Sequence, residues 1–263
     1  MSEQSETAFT DHRYVGKVAA VTGVASGMGR CIALRLASEG ATVFGMDINA
    51  EGLDEVATEV ADTAAAGGAM HTRVIDIADP AECHAAIAEC VAQHGRLDVL
   101  GNIAAISWMK HAVDVTTDDW RKMFAINVDG TFFMCQAALP HILASKGNII
   151  NIASNAAFMG SAYLVPYCAT KGAVVQMTRA LATEFVKEPI RINAIAPGGT
   201  DTPMNRDYQL AENTDFKLLK RSMAFRPLDK PEHIAALFAF LASAEAANIH
   251  GAIINADSGM TAT

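Results

Sequence analysis

A short apolar run, KVAAVTG, feeds straight into Thr22-Gly23-Val24-Ala25-Ser26-Gly27-Met28-Gly29. The apolar period then turns helical, with Ile32, Leu34 and Leu36, and stops at Gly40. Few patterns restrict a chain so narrowly. An unbroken apolar run reads as a strand buried on both faces of a parallel sheet. Three glycines are more than a tight strand-to-helix turn needs. They let the backbone approach a pyrophosphate, while the helix N-terminus supplies N–H donors and a positive dipole end. Strand, glycine turn and helix in that order predict a dinucleotide cradle at Gly23, Ser26, Gly27, Met28 and Gly29.

The rest of the chain continues the alternation. A second strand, ATVFGMDIN, ends in Asp47 and Ile48, and Asp47 lies 24 residues past Gly23. That is where a ribose-binding acid belongs in such a fold. Its carboxylate would accept hydrogen bonds from ribose hydroxyls and repel a 2′-phosphate. No Arg or Lys at 48–49 or in the glycine loop offsets the repulsion, so NAD is expected and NADP disfavoured. A helix over Leu53–Ala65, a strand over His71–Ile75 with Asp76-Ile77 after it, and a helix opened by Asp79-Pro80 follow. LDVLGNIAAI, after Gly95, reads as a fourth strand.

The long segment Thr117–Ser145 reads as a helix with Asn127 in an apolar stretch before Gly130. Such an Asn is either a satisfied core amide or a kink residue that orders a water. Lys146–Ala153 is the fifth strand, Pro166–Lys187 a helix, and IRINAIAPGG a sixth strand closing at Pro197-Gly198. Pro231–Ala242 and Gly251–Ala256 supply the last helix and strand. The expected fold is α/β: a Rossmann-type doubly wound parallel sheet of about seven strands with helices on both faces. We expect a loose tail over 1–15 and a single domain over 16–263, with a substrate lid in the irregular stretch 199–230.

Composition narrows the function. The net charge is −9 and no Lys/Arg run occurs, which argues against a nucleic-acid partner. Five cysteines, an odd number without a CxxC, suggest buried thiols in a reducing compartment. Met1–Asp11 is polar and acidic, unlike a signal peptide, and the longest apolar stretch, Ile234–Ala244, is too short to span a bilayer. A cytoplasmic protein with no membrane partner is expected.

The chemistry is concentrated in SNAAFMGSAYLVPYCATK, residues 154–171. On a helix, Tyr167 and Lys171 stand at i and i+4 and can point into one pocket. A phenol of pKa about 10 does not readily lose its proton at neutral pH. A nearby ammonium would favour the phenolate. Ser154 follows an apolar strand, and its hydroxyl could hold a carbonyl or alcohol oxygen while Tyr167 exchanges the proton.

From Lys17 to Gly259 the chain resembles the classical short-chain dehydrogenase/reductase family. The motifs occur in its order: TGVASGMG, Asp76, Asn102, Asn127, Ser154, YCATK and APGGTDT, with the 13-residue gap from Ser154 to Tyr167 typical of that family. The resemblance implies that Tyr167 is the acid/base and that Lys171 lowers its pKa and binds the nicotinamide ribose. Ser154 would orient the substrate oxygen, and Asn127 would hold a water relaying protons to Lys171. Asp76 and Ile77 would border the adenine, Asn102 and Ala104 the cofactor wall, and Thr200 and Thr202, with Pro197-Gly198, the carboxamide. It also implies a homotetramer built partly on the long helices ending near Ser145 and Lys187.

One departure is clear: where the family usually reads Asn-Asn-Ala-Gly, this chain has Asn102-Ile103-Ala104-Ala105. Ile106, Trp108, Ala156, Phe158, Leu164, Met204, Tyr208, Met223 and Phe225 form the candidate pocket wall. Its apolar character suggests a small or medium hydrophobic secondary alcohol or ketone. A 3-oxoacyl-acyl-carrier-protein reductase is the alternative, with Lys217, Lys220, Arg221 and Arg226 as a docking patch. Against it stand Phe133 and Glu188, where those reductases tend to carry arginines, and Asp47. A non-catalytic dinucleotide sensor or scaffold is a third reading, opposed by the intact Ser/Tyr/Lys/Asn set.

Overall fold

The computed structural model describes residues 12–64, 67–222 and 226–262. Seven parallel strands form one sheet in the order β3-β2-β1-β4-β5-β6-β7. They are β1 (Val18–Thr22), β2 (Thr42–Asp47), β3 (Ala69–Val74), β4 (Val99–Asn102), β5 (Asn148–Ile152), β6 (Arg191–Pro197) and β7 (Ile253–Ala256). The helices between them are α1 (Gly27–Ser38), α2 (Ala50–Thr63), α3 (Pro80–His94), α4 (Thr117–Phe124), α5 (Thr131–Ser145) and α6 (Val165–Glu184). After β6 come two single turns, α7 (Pro203–Arg206) and α8 (Phe216–Leu219), and then α9 (Pro231–Ala242).

Alternate residues of each strand feed opposite layers, as the pleat requires. Ala19, Val21 and Val43 pack with Leu36 of α1, Val56 of α2 and Phe238 of α9. Val18, Ala20, Phe44 and Met46 pack with Ile87 of α3, Met134 of α5 and Leu181 of α6. Local signals set the helix ends. Asp79 caps α3 by accepting the Ala81 N–H at 2.8 Å, and Gly95, at φ 73°, stops it. Thr116 and Asp119 form a capping box at the start of α4.

Two expectations need correction. The segment Thr117–Ser145 is not one regular helix: α4 and α5 are joined by a π turn over Ala125–Gly130 that contains Asn127. The loose tail does not extend to residue 15, and residues 1–11 lie outside the described residues. Tyr14 is buried, and its hydroxyl donates to the Ala239 carbonyl near the end of α9. The neighbouring carbonyls are bound from elsewhere in the sheet. Arg191 donates to Leu241 O at 2.7 Å and Ser243 O at 3.0 Å, and Asn148 donates to Ala242 O at 3.0 Å. These are the carbonyls an α-helix leaves without internal partners.

Candidate active site

The strand order changes direction between β1 and β4, and there the sheet opens a crevice at the carboxyl ends of its strands. The two strand tips are stitched together: Thr22 Oγ1 accepts the N–H groups of Ile103 at 3.0 Å and Ala104 at 3.1 Å. Gly23 turns the chain at φ 73°, and a side chain there would lie 2.9 Å from the Ala104 backbone. A Cβ at Gly29 would sit 2.0 Å from the Gly23 carbonyl oxygen, so glycine is what lets α1 start against the turn.

The crevice has a volume of about 270 Å³. Gly23, Ser26, Gly27, Met28, Gly29, Asp47, Ile48, Asp76, Ile77, Ala104 and Thr202 line it together. Asp47 is held in place by backbone donors, Ala25 N–H at 3.1 Å and Asn49 N–H at 3.0 Å, one on each carboxylate oxygen. Each oxygen keeps a lone pair for a further donor. No Lys or Arg lines the crevice among the described residues. Arg30, at the start of α1, is engaged by Glu55 and Glu59 of α2. This site fits a dinucleotide whose ribose carries free hydroxyls.

Asn102 is a correction. Its side chain is buried beneath the crevice instead of lining it, donating to Asn151 Oδ1 at 2.8 Å and Cys135 Sγ at 3.2 Å. Asn151 in turn donates to Thr178 of α6 at 2.9 Å, so the pair ties β4 to β5 and α6. The last residue of a strand alternates like any other, and this one faces the helix layer.

A second cavity of about 500 Å³ opens beside the crevice and shares Met28, Ile103, Ala105, Thr202 and Met204 with it. Ser154, Tyr167, Lys171, Pro197, Gly198 and Thr200 line it. Tyr167 opens onto the cavity and is otherwise enclosed by protein, so burial pushes its phenol above the ordinary range while the Ser154 hydroxyl works the other way. Lys171 is buried, and burial brings its ammonium down to about 8. Its Nζ donates to the Ile152 carbonyl at 2.8 Å and lies 5.7 Å from the centre of the Tyr167 ring. Burial is the largest influence on both groups, and the Ser154 hydroxyl favours the phenolate.

Asn127 is a satisfied buried amide. Its Oδ1 accepts Ile106 N–H at 2.8 Å, and its Nδ2 donates to Ile106 O at 2.9 Å and Thr170 Oγ1 at 3.2 Å. The side chain clamps the loop after β4 against α6.

The wall is mostly apolar, as expected, but its members differ in part. Ala156, Leu164, Met204 and Tyr208 line the cavity, whereas Ile106 faces the dinucleotide crevice and Trp108 and Phe158 line neither. Met223 and Phe225 lie outside the described residues. The lining positions missed from sequence include Ser107, Met109, Asn155, Asn205 and Arg226. In the extended stretch after β4, Ala105, Ser107 and Met109 share the cavity side, one residue out of phase with Ile106 and Trp108. A period-two reading of that stretch could have found them. Ala105 itself has no positive φ, so alanine at this position is unstrained. The segment after β6 is tied to the body of the chain at three points: Tyr208 hydroxyl to Ser107 Oγ, His111 Nε2 to Glu212 O at 2.6 Å, and Asp215 N–H to Tyr163 Oη at 2.8 Å.

Comparison with known proteins agrees with this geometry. A family model described as Enoyl-(Acyl carrier protein) reductase matches residues 23–261. The chain is 38% identical to D-threitol dehydrogenase of Mycolicibacterium smegmatis, over 95% of each chain. It is 36% identical to meso-2,3-butanediol dehydrogenase of Serratia marcescens, over 95% of this chain and 97% of that protein. The fold superposes with a TM-score of 0.84, at 31% identity, on a 3-ketoacyl-(acyl-carrier-protein) reductase from Brucella melitensis solved with NADH, covering 94% of this chain and 99% of that one. With a match of this length, and with the glycine crevice opening into the Ser154/Tyr167/Lys171 cavity, the chain belongs to the classical short-chain dehydrogenase/reductase family.

Proposed function

We propose that this protein is an NAD(H)-dependent oxidoreductase that interconverts a small or medium secondary alcohol and its ketone. The observation that carries the reading is the common wall between the two cavities. It sets a dinucleotide crevice beside a pocket in which Ser154, Tyr167 and Lys171 converge. The similarity to butanediol and threitol dehydrogenases supports the reaction class. Asp47, backed by two N–H donors and no cation, supports NAD over NADP.

A bound nicotinamide supplies hydride transfer, and the chain supplies position and proton handling. Tyr167 holds the proton that the substrate oxygen gains or gives up. Ser154, on the same cavity wall, orients that oxygen. Lys171, fixed by the Ile152 carbonyl, presents its charge beside the Tyr167 ring in the substrate cavity. Asn127 keeps the loop after β4 in place. Gly23, Ser26, Gly27, Met28 and Gly29 hold the pyrophosphate end, Asp76, Ile77 and Ala104 the adenosine side, and Pro197, Gly198, Thr200 and Thr202 the nicotinamide side. A homotetramer in the cytoplasm accords with exposed Trp120, Phe132 and Val165 on α4, α5 and α6, and with the lack of any helix among the described residues long and apolar enough to cross a membrane.

The similarity to a 3-ketoacyl-carrier-protein reductase solved with NADH favours a second reading, thioester reduction, with Lys217 and Arg226 on the lid as docking groups. Nicotinamide absorbance with NAD or NADP, against secondary alcohols, ketones and a 3-oxoacyl thioester, separates the two. Turnover of alcohols with NAD, abolished in Tyr167→Phe, is the expected result. Near-normal turnover in Tyr167→Phe would sink both readings, and turnover confined to the thioester would promote the second.

A further inference from the structure

Asn155 follows Ser154 directly, lines the substrate cavity and has no role in the scheme above. Ser154 Oγ donates to Asn155 Oδ1 at 3.2 Å and accepts the Ala156 N–H at 3.1 Å. On its other side, Asn155 Nδ2 lies 3.4 Å from Met260 Sδ. A thioether has no proton to donate, so the amide nitrogen must face the sulfur and the carbonyl oxygen must face Ser154. Met260 is itself fixed: it is buried in a turn in which Asp257 accepts the N–H groups of Gly259 at 3.0 Å and Thr261 at 2.9 Å. The C-terminal segment thus sets the orientation of Asn155, and Asn155 receives the one proton Ser154 has.

We propose that Asn155 is a positioning residue that draws the Ser154 proton away from Tyr167 and so makes Tyr167 hold its own proton more tightly. A hydroxyl has one donor and two acceptor positions. While Tyr167 is protonated, Ser154 can donate to Asn155, accept from Ala156 and still accept one O–H from Tyr167 or the substrate alcohol. To stabilise the Tyr167 phenolate it must turn its proton away from Asn155. The amide competes with the phenolate for that proton, and the competition opposes the step in which Tyr167 acts as base. The other titratable groups facing Tyr167 are Lys171 and Cys168 on its own helix and Tyr208 on the lid, with Arg226 farther out on the cavity wall. No carboxylate lines the cavity among the described residues.

This inference rests on the reading of Tyr167 as the acid/base, and the test keeps the two apart. The pH profile of kcat/KM for oxidation of 2,3-butanediol by NAD is recorded for the wild type, Asn155→Ala, Asn155→Asp and Tyr167→Phe. Removing the competing acceptor in Asn155→Ala moves the acid limb down by about half to one pH unit. The near-isosteric Asn155→Asp covers the case in which alanine loosens the turn. Its carboxylate takes the Ser154 proton more strongly and adds a negative charge, so the limb moves up. A limb that stays put in both variants, or moves the same way in both, overturns the assignment of Asn155 even if Tyr167→Phe is inactive. Activity retained in Tyr167→Phe overturns the underlying reading instead.

Discussion

Replacing Lys171 by methionine is expected to make the protein more stable while abolishing turnover. The ammonium is buried, and burial brings its pKa from the ordinary 10.5 down to about 8. A gap of that size corresponds to about 3 kcal/mol against the charged form at neutral pH. Methionine removes that penalty, and it also removes the 2.8 Å hydrogen bond to the Ile152 carbonyl, which costs about 1 kcal/mol. The net expectation is about 2 kcal/mol of added stability at pH 7, or a melting temperature higher by roughly 4–8 °C for a chain of this size. The pH dependence gives a second test. Between pH 8 and 10.5 the unfolded chain holds a proton on Lys171 that the folded chain has released, so wild-type stability rises with pH across that window. Below pH 8 the penalty is fully present, and above 10.5 it is gone. The advantage of the variant should therefore shrink as pH rises and reverse near the top of the window. Thermal unfolding at a series of pH values reads this directly. A variant less stable than wild type at pH 7, or a difference that does not change with pH, would refute the reasoning.

Asp47→Ser removes the carboxylate that repels a 2′-phosphate, and should raise the NADP-to-NAD ratio of kcat/KM by at least ~10-fold. An unchanged ratio would show that Asp47 does not discriminate. Gly29→Ala places a carbon 2.0 Å from the Gly23 carbonyl and should weaken NADH binding by more than ~10-fold in a fluorescence titration, with the circular dichroism of the fold retained. Binding at wild-type strength would mean that the turn tolerates a side chain. Tyr14→Phe deprives the Ala239 carbonyl of a buried donor and should lower stability by about 1–2 kcal/mol, a drop in melting temperature of roughly 3–6 °C. A neutral effect would return this segment to the status of a tail.

The features legible in the sequence are those set by local periodicity and by turn chemistry. The glycine turn, the buried strands and the capped start of α3 depend on neighbours within a few residues, and each lies where its pattern put it. The site residues on regular elements, Asp47, Tyr167 and Lys171, follow for the same reason. What was hidden depends on partners far away in the chain. Tyr14 looks like part of a polar tail until α9, more than two hundred residues later, offers it a carbonyl. Asn127 could be assigned to a kink but not to the Ile106 backbone it clamps. Asn102 reads as cofactor wall until the register of β4 against β5 pairs it with Asn151. Asn155 carries no sequence signal, because its partners are a neighbouring serine and a methionine at the far end of the chain. The segment after β6 is the least legible, since single helical turns carry too few residues to show a period.

The wall that the two cavities share has a thermodynamic consequence. Met28, Ile103, Ala105, Thr202 and Met204 each face both the dinucleotide crevice and the substrate cavity. Any occupant of one space that reorients these side chains changes the free energy of filling the other, and such a coupling must be equal in both directions. Whatever factor the dinucleotide contributes to substrate affinity, the substrate returns to dinucleotide affinity. A substitution such as Met204→Ala would then alter both dissociation constants together, although the residue belongs to the single helical turn α7.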